Sequence, residues 1–265
     1  MPKVIPVLAP AKLTRSFRVT GRRADGHHLV EAEMVALDFA DELEFSDGEG
    51  LDVVDVIAWV GPGESPLALA DVPLAENLVV RALRLAGRTS HVRLVKQIPP
   101  GAGLGGGSAD AAAVLRWAGV TDPALASQLG ADVPFCLQGG RAMVRGIGEV
   151  IEPLAPVEVT VVLVTPAFGV STREVYAAFD EIGAPFPGSS TNDLEKAAIA
   201  VEPRLARIRD LLAEVSRRRS SLAGSGATWF VECEPQEAWR IAGDLYEAVV
   251  AEELRAVIEV AHAGG

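Results

Sequence analysis

The spacing of apolar positions changes several times along this 265-residue chain, and each change marks an element. Residues 4–8 and 14–20 read as short strands. Residues 29–39, 41–46 and 51–60 are β-prone and close on the turn signal GPGESP at 61–66. From 75 to 87 the spacing is helical, with Leu78, Ala82 and Leu85 on one face and Gly87 as the stop. HVRLVKQI (91–98) alternates Val92, Leu94 and Lys96 against Arg93, Val95 and Gln97, which predicts a strand running into a glycine-rich loop. A helix is predicted over 108–119, with Ser108 near its start and Gly119 at its end. A shorter one at 122–129 leads into GADVPF (130–135), and 141–154 reads as a hairpin. Beyond Pro156, VTVVLVT (159–165) is an uninterrupted apolar run, expected as a buried strand. Helices at 172–182 and 203–217 follow, separated by a surface loop around Pro185, Pro187 and Gly188. SLAGSGATWFVEC (221–233) reads as strand, glycine turn and strand, then a helix at 234–249 and a last strand at 254–261. Helices and strands mix without strict alternation, so the expected class is α+β, divided into domains 1–155 and 156–265.

Composition narrows the possible functions. Hydrophobic residues at 49% and charged residues at 23% exclude a disordered chain. A net charge of −12 argues against nucleic-acid and anionic-membrane partners, but leaves room for a small anion held locally by backbone N–H groups. No apolar run reaches membrane-spanning length, and two prolines interrupt the apolar N-terminus, so neither a membrane span nor a signal peptide is expected. Cys136 and Cys233 have no zinc spacing, and a reducing cytoplasm fits them. The four lysines are Lys3, Lys12, Lys96 and Lys196. A scarce residue type at a motif position is informative.

The strongest local signal is Pro99-Pro100-Gly101-Ala102-Gly103-Leu104-Gly105-Gly106-Gly107-Ser108-Ala109-Asp110, between a predicted strand and a predicted helix. Glycines let a backbone wrap an anion, and the helix start adds N–H donors and a positive dipole end. A bland glycine loop is one reading. A dinucleotide fingerprint is another, since Gly101, Gly103 and Gly106 spell GxGxxG. However, the acid about 20 residues on is Asp122, in a Thr-Asp-Pro turn rather than at a strand end. The third reading is the phosphate loop of a small-molecule kinase. The ordinary GxxxxGK[ST] loop and the protein-kinase signatures are absent.

The run PPGAGLGGGSADAA resembles the phosphate loop of the GHMP kinases. APAKL (9–13), TGRRADGHH (20–28), ENLVVRA (76–82), GADVPF (130–135), NDLE (192–195) and LAGSGAT (222–228) resemble, in order, segments of the 4-diphosphocytidyl-2-C-methyl-D-erythritol kinases within that superfamily. The resemblance implies an N-terminal α+β domain like that of a ribosomal small-subunit protein, a C-terminal ferredoxin-like domain, and a site in the cleft between them. It implies ATP and Mg²⁺ as cofactors, and transfer of the γ-phosphoryl group to the 2-hydroxyl of an acceptor carrying a cytidine diphosphate moiety. The chain would act as a monomer or homodimer in the cytoplasm, in the methylerythritol phosphate route to isoprenoid precursors.

Carried over by position, Asp132 matches the catalytic aspartate and Lys12 the catalytic lysine. Pro99 through Ala109 form the ATP loop, with Lys96 near the nucleotide and Ser108 as a helix cap, a phosphate contact or an Mg²⁺ contact. His27 and His28 stand where the family has Tyr-His for the cytosine, and Tyr176 lies where a second stacking aromatic would come from. Gly224-Ser225-Gly226 matches a late glycine turn near the phosphates, and Asp193 either closes the substrate pocket or caps a helix. Bland readings stand beside these: a turn residue for Asp132, a solvated charge for Lys12 or Lys96, a core aromatic for Tyr176, a hairpin turn for 224–226. Two positions depart from the family, Thr14 where an asparagine is usual and His27 where a tyrosine is usual. Both lie on the acceptor side, so the alternatives are a sister kinase with another acceptor and a non-catalytic nucleotide-binding relative.

Overall fold

The computed structural model describes residues 6–63, 73–183 and 190–264. The start of the strand expected at 4–8, the end of the GPGESP turn and the loop around Pro185, Pro187 and Gly188 lie outside the described residues.

The first sheet contains β1 (Val7–Arg22), β2 (His28–Ser46), β3 (Gly50–Asp55), β4 (His91–Lys96), β5 (Arg141–Gly146) and β6 (Val150–Pro153). Its order is β3-β4-β2-β5-β6, with β1 also paired to β2, and among the described residues only β3 and β4 of this sheet run parallel. The segments 4–8 and 14–20 are therefore one strand, and 29–39 and 41–46 are another; 51–60 stops at Asp55. Pro10 does not break β1, because this strand pairs on one side only and its register shifts between Pro10 and Lys12.

Four helices belong with this sheet: α1 (Leu78–Leu85), α2 (Gly106–Trp117), α3 (Pro123–Ser127) and α4 (Val133–Gln138). Residues Ala109 to Leu115 of α2 are all buried. Four of these seven are alanines, and their small side chains let α2 lie close against β1, α1 and α4.

The second sheet is antiparallel, with β7 (Val159–Pro166), β8 (Ser221–Leu222), β9 (Trp229–Cys233) and β10 (Ala256–Ala263) in the order β10-β7-β9-β8. Three helices, α5 (Thr172–Ile182), α6 (Glu195–Val201) and α7 (Arg204–Ser216), come before β8, and α8 (Pro235–Ala251) joins β9 to β10. This β-α-β-β-α-β succession is ferredoxin-like. Every residue of β7 is buried, as its unbroken apolar run requires.

The two sheets share a core. Ala11, Leu13, Val35 and Leu37 of the first pack with Val161, Leu163, Phe230 and Ala261 of the second. Side chains alternate along a strand, so with Ala11 and Leu13 turned into this core, Lys12 faces the other way, toward α2 and the loop before it. Backbone bonds also cross between the halves: Phe17 N–H donates to the Thr191 carbonyl at 2.9 Å, and Asp193 N–H to the Phe17 carbonyl at 3.0 Å. Among the described residues no helix is long and apolar enough to cross a membrane, and both cysteines are free thiols.

Candidate active site

A cleft of about 920 Å³ opens where the loop between β4 and α2 meets β1, the start of β2, α5 and the 224–226 turn. Gly101, Gly103 and Gly105 hold φ of 70°, 79° and 70°, the left-handed region that only glycine enters freely. Gly105 is the residue that caps α2, with no side chain involved. Ser108 is thus the third residue of the helix and not its cap, because the chain must turn left-handed one step before the helix begins. The first intrahelical bond here runs from Ala109 N–H to the Gly105 carbonyl at 2.8 Å. The N–H groups of Gly106, Gly107 and Ser108 therefore have no acceptor within the helix, and the positive end of its dipole faces the cleft.

Of the expected loop residues, Pro99 to Gly103 and Gly105 to Ser108 line the cleft. Leu104 and Ala109 do not. Both are fully buried, and Leu104 serves through its carbonyl, which accepts from Lys12 N–H at 2.9 Å. The loop leans on the second half of the chain. Thr228 N–H donates to the Ala102 carbonyl at 3.1 Å. A β-carbon on Gly103 would sit 2.6 Å from the carbonyl oxygens of Ala223 and Gly226. The 224–226 turn is itself held by Asn192, buried at 2% exposure, whose side-chain amide donates to the carbonyls of Leu222 (2.8 Å) and Gly224 (2.6 Å). Gly224, Ser225 and Gly226 all line the cleft, and the Ser225 hydroxyl meets that of Thr172 at 2.8 Å.

Lys12 and Asp132 come together. The ammonium of Lys12, only 5% exposed, lies 3.4 Å from Asp132 Oδ2 and donates to the Thr14 hydroxyl at 3.3 Å. Asp132 stands at the entrance to α4 but makes no side-chain cap bond, so its carboxylate is free for the cleft. Gly105 packs on the Lys12 stem, where a β-carbon would meet Cγ at 2.8 Å. Close by, Cys136 is buried, and burial together with the Asp132 charge pushes its thiol up to about 12, so it stays protonated.

Lys96 is no strand-surface charge. It is 5% exposed and lies under the loop, where a β-carbon on Gly106 would be 3.2 Å from Nζ. Its ammonium donates to Asp110 Oδ2 at 2.9 Å and makes a short contact with Asp41 Oδ2. Asp41 is wholly buried, and its other oxygen accepts the N–H groups of Gln97 (2.6 Å) and Ile98 (2.9 Å). Burial works against the Lys96 charge, but the Asp110 and Asp41 carboxylates overcome it and raise its pKa. Burial pushes the Asp110 carboxyl up to about 7, although the Lys96 charge draws it the other way. Asp110 Oδ1 is buried without a partner.

At the other part of the cleft, His28 is the first residue of β2 and its side chain is 11% exposed. Its ring stacks on Tyr176 with centroids 4.7 Å apart and planes at 21°. Phe179 meets it edge-on at 6.1 Å, and its Nε2 lies 2.7 Å from Asp180 Oδ1. Tyr176 thus packs against the core and lines the cleft as well. Burial first, and the Asp132 charge second, push its phenol up to about 12. His27 also lines the cleft, but its side chain is 65% exposed and lies 3.3 Å from Asp25. Asp193 neither lines the cleft nor caps α6. Its carboxylate accepts from Arg18 Nη1 (2.8 Å) and from Val19 N–H (3.0 Å), fastening β1 to the second half.

Sequence reasoning missed Asp41, Asp110 and Asp180. Asp110 stood within the GGGSAD run. Asp180 lies four residues after Tyr176, one helical turn on, a spacing that was legible. Nothing local marked Asp41, which reaches Lys96 only through the pairing of β2 with β4.

Comparison with known proteins gives the chain's relatives. Residues 77–140, which contain α1, the loop, α2 and Asp132, match the family described as GHMP kinases N terminal domain. The chain is similar to the 4-diphosphocytidyl-2-C-methyl-D-erythritol kinase of Paracoccus denitrificans (strain Pd 1222), at 40% identity over 84% of both chains. It is similar to that of Cereibacter sphaeroides (strain ATCC 17029) at 38% identity, over 89% of this chain and 92% of the other. A crystal structure of 4-(cytidine 5'-diphospho)-2C-methyl-D-erythritol kinase superposes with a TM-score of 0.75 at 34% identity, covering 98% of this chain and all of that one. Identity of 34–40% over 84% or more of the chain makes it a member of the 4-diphosphocytidyl-2-C-methyl-D-erythritol kinase family of the GHMP kinases.

Proposed function

We propose that this protein transfers the γ-phosphoryl group of ATP to the 2-hydroxyl of 4-diphosphocytidyl-2-C-methyl-D-erythritol, in a biosynthetic role in the cytoplasm. The observation that carries the reading is the Lys12–Asp132 pair, 3.4 Å apart and packed against the capping glycine of the loop. A hydroxyl is a poor nucleophile near neutrality, and a carboxylate beside it removes its proton as the new O–P bond forms. Asp132 is assigned that role. Lys12 orients the carboxylate and offsets charge developing on the transferring phosphoryl group. The phosphates rest on the N–H groups of Gly106, Gly107 and Ser108.

Among the described residues no three His, Cys, Asp or Glu side chains gather as a metal cage. Mg²⁺ in kinases needs none, since it takes most of its ligands from phosphate oxygens and water. Among the oxygen donors that line the cleft, the Ser108 hydroxyl and the Asp132 carboxylate suit such a hard cation. When bound, Mg²⁺ neutralises phosphate charge. We assign the cytidine moiety to His27, His28 and Tyr176, and the polar contact near the transferred group to Thr14.

Thr14 and His27, which replace an asparagine and a tyrosine, favour a second reading, a kinase of this superfamily with a different acceptor. The test is ADP release from Mg-ATP with 4-diphosphocytidyl-2-C-methyl-D-erythritol, mevalonate and homoserine offered in parallel. Turnover that requires the cytidine compound is expected. Turnover with another acceptor, or ATP-induced stabilisation without turnover, would overturn the proposal.

A further inference from the structure

His28, Tyr176, Phe179 and Asp180 form a cluster whose hydrogen-bonding pattern has a chemical consequence. Tyr176, Phe179 and Asp180 occupy positions i, i+3 and i+4 of α5, so one helix face presents all three to the His28 ring. The ring is gripped on three sides: by the Tyr176 face at 4.7 Å, the Phe179 edge at 6.1 Å and the Asp180 carboxylate at 2.7 Å. The second oxygen of Asp180 lies 3.2 Å from Arg22 Nη1. Arg22, His28, Tyr176 and Asp180 all line the cleft.

A carboxylate only accepts hydrogen bonds, so the His28 nitrogen facing it carries the hydrogen. In the neutral ring that nitrogen is Nε2, and Nδ1 is left as a lone pair. Two rings holding a third between them need centroids about 7 Å apart, twice the ordinary contact separation. At 4.7 Å the His28 and Tyr176 rings are already in contact, so no base fits between this pair. An edge that accepts and does not donate suits a nucleobase amino group and opposes a carbonyl.

We propose that Asp180 is a positioning residue for nucleobase specificity: by holding the hydrogen on His28 Nε2 it makes Nδ1 an acceptor, which selects cytosine, with its exocyclic amine, over uracil, with a carbonyl there. The inference rests on the assignment of the cytidine moiety to this part of the cleft. Leaving a polar edge unpaired against the wrong base is enough for roughly tenfold to hundredfold discrimination.

The experiment is direct binding of CDP and UDP by calorimetry to the wild-type protein, Asp180→Ala and Asp180→Asn, with ATP affinity measured alongside. The ¹⁵N shifts of the His28 ring are recorded for the wild type. The wild type is expected to prefer CDP by tenfold or more, and its His28 ring to show Nε2 protonated and Nδ1 bare. Asp180→Ala is expected to lose most of that preference, while Asp180→Asn, which still offers the ring an acceptor oxygen, retains part of it. ATP affinity stays within twofold throughout. A CDP preference that survives Asp180→Ala, or a His28 ring with Nδ1 protonated in the wild type, overturns the proposal and leaves the functional assignment standing. Equal loss of CDP, UDP and ATP binding in Asp180→Ala makes Asp180 a structural residue and overturns it too. If the wild type binds neither CDP nor UDP, the assignment of the cytidine moiety falls, and the inference with it.

Discussion

Asp132 and Lys12 were singled out through the family resemblance of GADVPF and APAKL, not by their local sequence alone, and the fold brings them within ion-pair distance. Asp132→Asn removes the base and keeps the shape, so kcat is expected to fall by about 10²- to 10⁴-fold. The affinity for ATP should be nearly unchanged, and undiminished turnover would take Asp132 out of the mechanism. His27 lies at the open side of the cleft, so His27→Ala is expected to raise KM for the cytidine substrate more than KM for ATP, read from paired saturation curves. Asp110 was not legible as a site residue, because its meaning comes from burial in α2 and from Lys96 and Asp41 on β4 and β2. Its carboxyl is raised from 3.8 to about 7, so between those values the folded protein binds more protons there than the unfolded chain does. This group's contribution to stability therefore declines as pH rises from about 4 through 7. Asp110→Asn has no such titration. Its thermal midpoint, scanned from pH 5 to pH 8, should fall less steeply than that of the wild type; parallel curves would show that Asp110 does not titrate in that range.

At the scale of elements, most helices and strands followed from spacing, and the failures have physical causes. The first two strands were each divided at points where register shifts and a proline disturb the pattern without ending the pairing. Ser108 looked like a cap because serine commonly is one, but a left-handed turn at Gly105 takes that position. Strand β3 stops at Asp55, whose carboxylate accepts Ile57 N–H at 2.9 Å and turns the chain out of the sheet. The loop offers a comparison in which backbone conformation is held nearly constant. Gly101 and Gly103 share a left-handed φ, but a β-carbon on Gly101 meets nothing within 4 Å, whereas on Gly103 it strikes two carbonyl oxygens. Gly101→Ala is expected to cost about 1–2 kcal/mol, the ordinary penalty of that conformation. Gly103→Ala should cost more and also abolish the rise in melting temperature on adding ATP. Equal effects in denaturant titrations of the two variants would mean that the contact with Ala223 and Gly226 is unimportant.

At the scale of the whole molecule, the first sheet's last strand ends at Pro153 and the second sheet's first begins at Val159. The packing of the two sheets was not legible, because nothing in a strand's alternation says which other sheet will cover it. Residues as distant as Leu13 and Phe230 occupy one apolar cluster, and Arg15 on β1 reaches Glu232 on β9 at 2.7 Å. A shared core predicts one cooperative unfolding transition, with circular dichroism and tryptophan fluorescence superimposing. Two resolved transitions would show the halves to be independent.

The support of Gly103 on residues 223–226 also has a consequence in time. The ribosome delivers the phosphate loop more than a hundred residues before the turn that braces it. A nascent chain paused before residue 220 carries every glycine of the loop and both members of the Lys12–Asp132 pair, yet lacks the 223–226 turn and Thr228 that brace Ala102 and Gly103. The capacity to hold a nucleotide is therefore expected late and abruptly during synthesis, once the stretch through Trp229 has cleared the exit tunnel. Stalled chains of increasing length, probed with a photoreactive ATP analogue, should label only past that point; labelling of shorter chains would show the loop to be competent alone.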